Sequence, residues 1–261
     1  LSDADPMPLF GLKLLSVIVE RNGAFVVILN KLKLIEVLFQ YFEVNHAKFN
    51  AFTVKIVRAI IQSREIDLPD MIELGIVERM NGIFENVMQS NQEWCTDHLL
   101  EIINELLHMA SEIKKGDEQE ALAHLPQLIF DNFLVNFEYF MVLLTASDQT
   151  IVERAAQNIL AFIHFSMISG IVRNELLVIK ESQLDHILPA IKIDEPSISK
   201  NLIKALYWAM SLGQRGLRPK DPENIKKILK ISEKLLQSSE DKSLLNTARE
   251  VVKLCKNQLG Q

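Results

Sequence analysis

From Pro6 to Val44 apolar residues recur at three- and four-residue spacing in two runs that are separated by Asn22-Gly23. In the first run Leu9, Leu12, Leu14, Leu15, Ile18 and Val19 fall on one broad face of a predicted helix. Asp5-Pro6 is a helix start: the carboxylate accepts from free amides of the first turn, and proline has no amide to leave unpaired there. Asn22 and Gly23 both tolerate a left-handed backbone and predict the stop. The second run, Phe25, Val26, Ile28, Leu29, Leu32, Ile35, Leu38, Phe39 and Phe42, predicts a second helix. Two helices this apolar cannot cover each other alone, so the pattern demands neighbours on both sides.

The same pattern returns down the chain. A shift of 42 residues places Leu14 on Ile56, Ile18 on Ile60, Leu29 on Met71, Leu32 on Leu74, Leu38 on Met80 and Phe42 on Phe84. The match is in apolarity rather than identity, and its step is that of armadillo or HEAT units of about 40 to 47 residues. Phe49 to Gln62 then reads as the first helix of the second unit, Asp67-Leu68-Pro69 as its turn and Pro69 to Gln89 as its long closing helix, with Gly82 as the point where that helix divides. Trp94 to Ile113 keeps helical period. Over 114–146 the register is irregular: two helical segments are expected, parting near Asp131-Asn132, and the place of a closing helix is taken by the aromatic residues Phe130, Phe133, Phe137, Tyr139 and Phe140.

Ser147 to Thr150 is a helix-start cluster. Ala155-Ala156, Ala205 and Ala248 recur at a loose step inside three later helices, and Gln183 to Ile191 and Asn224 to Leu236 read as closing helices between them, the latter started by Asp221-Pro222-Glu223. The expectation is one all-α domain over residues 1–261, an armadillo/HEAT-like α-solenoid of about six irregular units.

Composition narrows the class. Of 261 residues, 48% are hydrophobic and 24% charged, with only 9 Gly and 8 Pro, which favours helices over a strand-and-turn architecture. The net charge of -6 is uneven, with -8 over residues 1–130 and +2 over 131–261. Two partner surfaces or an ordinary solvated face produce the same gradient, and the acidic balance disfavours wholesale nucleic-acid binding. Cys95 and Cys255 are too few for a disulfide framework and imply a reducing cytoplasm. The apolar windows 137–146 and 159–172 are too short or too interrupted for a membrane span of about 20 residues. The start at Leu1, with no leader pattern, reads as a piece cut from a longer protein.

Pro8-Leu9-Phe10-Gly11-Leu12-Lys13-Leu14-Leu15, followed by Val19-Glu20-Arg21-Asn22-Gly23-Ala24-Phe25, resembles the armadillo-like regions C-terminal to the kinase domain in Fused-type and unc-51-like kinases, their pseudokinase members most of all. The close likeness covers roughly the first forty residues. It implies a scaffold tied to ciliary, microtubule or Hedgehog-type signalling. No kinase residue carries over, because the chain holds no glycine-rich nucleotide loop, no His-Arg-Asp catalytic loop and no Asp-Phe-Gly.

Chemistry-bearing groups are few. Cys95, His98 and His108 lack the paired spacing of a zinc site, and Asp97-His98 has no serine partner fixed by sequence. No catalytic residue, cofactor or metal is expected. The strongest candidate contact is the basic run Arg215, Arg218, Lys220, Lys226, Lys227, Lys230 and Lys234, suited to an acidic peptide, a tubulin-like surface or phosphate but interleaved with Asp221, Glu223 and Glu233. On the solenoid reading Lys31, Lys33, Gln40, Glu73, Arg79 and Asn86 are groove candidates on the closing helices. The function expected is a non-catalytic scaffold that docks protein partners in a cytoplasmic, ciliary or cytoskeletal setting. The alternatives are a helical-repeat nucleic-acid binder using the basic face and an all-helical enzyme, for which no polar constellation is visible. The apolar opening, where a first unit should carry a polar outer face, also predicts a preceding repeat, a covering partner or self-association.

Overall fold

In the computed structural model, residues 7–44, 51–90, 95–113, 125–169, 179–212 and 221–260 are described. Among them the chain is all-α, with no strand, and it divides into two compact units.

The first unit carries seven helices: α1 (Met7–Arg21), α2 (Ala24–Lys31), α3 (Leu34–Val44), α4 (Ala51–Ser63), α5 (Leu68–Glu73), α6 (Ile76–Gln89) and α7 (Thr96–Glu112). Its spine is a row in which α1 packs on α4 and α4 on α7, with α6 against α7 and α2 against both α1 and α4. α4 lies between two helices, and its Val54, Ile56, Val57, Ile60 and Ile61 are completely buried.

The break at Asn22-Gly23 is present, but its mechanism differs from the expected left-handed stop. Gly23 is right-handed, with φ -56°. The side-chain Oδ1 of Asn22 accepts from the Ala24 amide at 3.1 Å, so Asn22 closes one helix and caps the next. The expected single helix after this break is two helices, because Lys33 adopts a left-handed backbone with φ 56°. In the second unit of the pattern the division falls at Leu74-Gly75 and not at Gly82. Gly75 has φ 66°, whereas Gly82 lies inside α6. A glycine in a helix lowers its stability by about 1 kcal/mol without breaking it. Asp67, read from the sequence as part of a turn, is the N-cap of α5, its side chain accepting from the Asp70 amide at 3.0 Å.

The second unit carries α8 (Leu125–Leu143), α9 (Gln149–Ser169), α10 (Leu184–Ala190), α11 (Pro196–Ser211), α12 (Pro222–Ser238) and α13 (Lys242–Leu259). α11 packs between α9 and α13, and α12 lies on α13 and α10. The expected division of α8 near Asp131-Asn132 does not occur. Asn132 donates through Nδ2 to the Leu128 carbonyl, and Gln127 to Asp131 Oδ1, so both polar residues serve the helix they were expected to interrupt. The aromatic residues are its buried stripe: Phe130, Phe133, Phe137 and Phe140 recur at helical spacing. Phe162 of α9 stacks on Phe130 at 5.2 Å and tilts over Phe137 at 5.0 Å. Among the described residues no helix is long and apolar enough to cross a membrane.

Candidate functional site

The basic residues of α12 are positioned by the helix's buried side. Asp221 caps it, accepting from the Glu223 amide at 2.9 Å, and Pro222 opens it. Ile225, Ile228, Ser232 and Leu235 are buried. That spacing leaves Lys226, Lys227, Lys230 and Lys234 together on the exposed side. The field they project is weaker than the count of cations. Lys226 pairs with Glu223 at 2.5 Å, and this hydrogen bond holds its ammonium above the ordinary lysine value. Lys227 donates to Asn224 Oδ1 at 3.3 Å. Glu233 faces Lys256 at 3.6 Å. Arg215, Arg218 and Lys220 lie outside the described residues.

The groove candidates separate into three kinds. Lys33 and Glu73 line one cleft of about 360 Å³ at the ends of α2 and α5. Glu36, Glu65 and Asp70 also line it, so carboxylates outnumber the single ammonium and the cleft suits a cationic side chain. Its rim is fixed by Asn30, whose Nδ2 donates to the Glu65 carbonyl at 3.0 Å. Lys31, Gln40 and Asn86 are exposed and line neither this cleft nor the one described below. Arg79 is half-buried, and its Nη1 donates to the Phe39 carbonyl at 3.0 Å, which makes it a tie between α6 and α3 rather than an open groove contact.

Sequence reasoning missed a charged group of the first unit that joins three helices. Arg58, on α4, donates through Nη2 to Glu20 of α1 at 2.9 Å and through Nη1 to Glu101 of α7 at 2.7 Å. The same Nη1 lies 2.9 Å from His98 Nδ1, and Lys55 adds a second contact to Glu20 at 3.4 Å. At the end of α4, Arg64 reaches Glu105 at 2.7 Å and Glu112 at 2.9 Å. These pairs join residues 35 to 48 positions apart. That range brackets the 42-residue step, the signal by which they could have been found.

A second cleft, of about 410 Å³, lies in the second unit between the ends of α8 and α10, with Gln149, His186, Lys192 and Glu195 among its polar walls. Neither cysteine is disposed to nucleophilic chemistry: burial, with the Asp97 carboxylate adding, pushes the Cys95 thiol up to about 12. Burial and Glu233 push Cys255 up to about 11. Among the described residues no group of three or more His, Cys, Asp or Glu side chains is placed to hold a metal ion.

Part of the exposed surface of the first unit is apolar. Leu9, Phe10, Leu14 and Val17 of α1 are exposed, Phe10 and Leu14 by 60% and 64%, as are Leu34 and Val37 of α3. α1 and α3 both pack on α2, and exposed apolar groups gathered on helices of one such group mark an interaction surface more often than scattered ones do. No family model matches the chain, and neither a curated protein nor a solved structure matches it.

Proposed function

We propose that the chain is a non-catalytic protein-interaction scaffold, built as an armadillo/HEAT-like α-solenoid. The observation that carries this reading is the recurrence of one three-helix unit: α1–α2–α3 and α4–α5–α6 have the same order of one long helix, one short helix and a third entered through a left-handed residue. The left-handed residues that precede the third helices, Lys33 and Gly75, are 42 positions apart, the step of the apolar pattern; Arg64, left-handed after α4, has no left-handed counterpart at Asn22. A chain in which each repeat touches only its neighbours gains extended surface in proportion to its length, and extended surface is what a scaffold uses. The exposed apolar face of α1 and α3 and the lysines of α12 supply two chemically different docking surfaces.

The resemblance of residues 8–25 to the armadillo-like regions of Fused-type and unc-51-like kinases supports a place beside a kinase or pseudokinase in ciliary or microtubule-linked signalling. Affinity capture from ciliated cells tests both parts. Wild type is compared with Phe10→Glu/Leu14→Glu and with Lys226→Glu/Lys227→Glu/Lys230→Glu, each checked for native helix content. Loss of ciliary or microtubule-associated partners from a folded variant supports the reading. Identical partners in all three, or none above background, contradicts it.

A further inference from the structure

The exposed face of α1 and α3 matches in register a face the chain already uses. α4 has a helix on each side, and only Gln62 of it is exposed. Moved back by 42 residues, Ile56 falls on Leu14 and Ile76 on Leu34. Ile56 and Ile76 are completely buried, whereas Leu14 is 64% and Leu34 40% exposed. Phe52 of α4, which lies under the Lys13 ammonium of α1 at 6.0 Å, falls on the bare Phe10. Arg79 of α6, which grips the Phe39 carbonyl of α3, falls on the bare Val37. Thus α1 and α3 present, uncovered, the face by which α4 and α6 hold the helices before them.

A terminal repeat closes a row with a polar outer face. A polar face of that kind is present on α13, which packs on α11: Lys242, Asn246, Arg249, Lys253 and Lys256 are exposed, and no large apolar side chain of it is. α1 lacks that character. We propose that the outer face of α1 and α3 docks a further three-helix repeat unit, stacked one step ahead of α1 as α1 is stacked ahead of α4. The matching surface is the side that α1 and α3 turn toward α4 and α6, which is covered within this chain, so a second copy does not offer it. The existing junction also specifies charge. Lys55 of α4 meets Glu20 of α1, and Lys13 stands at the position of Lys55 one step earlier. The arriving unit therefore brings a carboxylate at its counterpart of Glu20.

This inference rests on the repeat reading, but its test needs no cellular partner, so the two fail separately. The probe is a tandem chain with residues 7–48 repeated ahead of Met7, which keeps the step and places a Glu20 counterpart opposite Lys13. Hydrogen exchange is read at α1 of the original copy. Docking predicts about tenfold or greater added protection there, lost when Phe10→Glu and Leu14→Glu are placed in that copy while α4 and α7 stay protected. No added protection overturns the proposal. So does sedimentation of the unmodified chain as a dimer that Leu14→Glu dissociates, which assigns the face to a second copy.

Discussion

Arg58 Nη1 lies 2.9 Å from His98 Nδ1, a distance that requires the imidazole nitrogen to accept and therefore to be unprotonated. Burial is the largest influence and lowers the His98 pKa from its ordinary value of 6.5. Asp97 and Glu101 oppose that shift, and Arg58 and Lys55 add to it. A histidine with a lowered folded-state pKa contributes stability that is fully present above its unfolded value. That stability is lost as pH falls through the folded value. Urea unfolding should therefore show the first unit weakening as pH falls below 6.5, and His98→Gln, which cannot take up the proton, should weaken less over the same fall. Equal pH dependence of the two proteins contradicts this account.

Removing the guanidinium leaves Glu20 on α1 and Glu101 on α7, on the two sides of α4, without their shared cation. The pairs are 18 to 24% exposed, so solvent discounts the loss. Arg58→Met should cost about 1–2 kcal/mol by chemical denaturation. Combined with Glu20→Gln, the two losses should be less than additive, since both break one bond. Additive losses would place Arg58's contribution elsewhere.

The left-handed residues Lys33 and Gly75 predict changes of opposite sign. At Gly75 an added Cβ meets nothing within 4 Å, so Gly75→Ala is penalised through the backbone alone, by about 1 kcal/mol. Lys33 already bears a Cβ at φ 56°, so Lys33→Gly should be neutral or stabilising by up to about 1 kcal/mol. Thermal midpoints read both, and a loss at Lys33→Gly comparable to that at Gly75→Ala would show that the two turns are not equivalent.

The aromatic cluster of the second unit sets a third scale. Phe162 is 1% exposed and contacts both Phe130 and Phe137. Phe162→Ala should cost about 3–5 kcal/mol, and Phe162→Leu markedly less. Equal losses for the two substitutions would argue against a packed α8–α9 cluster.

The apolar pattern made the helices and the 42-residue step legible, because burial alone fixes which residues of α4 and α7 must be large and apolar. Capping was legible where a carboxylate precedes proline, as at Asp221-Pro222. The turn at Lys33 was not, since lysine carries no left-handed preference and tertiary packing imposes the conformation. Gly82 misled in the opposite direction: its space is open and nothing forces the helix to end there. Polar pairs at Asp131-Asn132 read as an interruption until their side chains are seen to bond one turn away along α8. Arg58 was invisible because its worth lies in two partners 38 and 43 residues away. Of the basic candidates, helical spacing gathered the α12 lysines correctly on one side, while their acidic neighbours, visible in the same stretch, reduce what that side can attract.

The repeat claim is tested most directly by removing one whole step. A chain lacking residues 51–92, with Glu20→Lys replacing the cation lost with Arg58, should let α7 take the place of α4 beside α1. Circular dichroism and urea unfolding should then show the remaining helices intact and one cooperative transition for the first unit, whereas deletion of half a step, residues 51–71, should abolish that transition. Equal damage from the two deletions would contradict a repeat architecture.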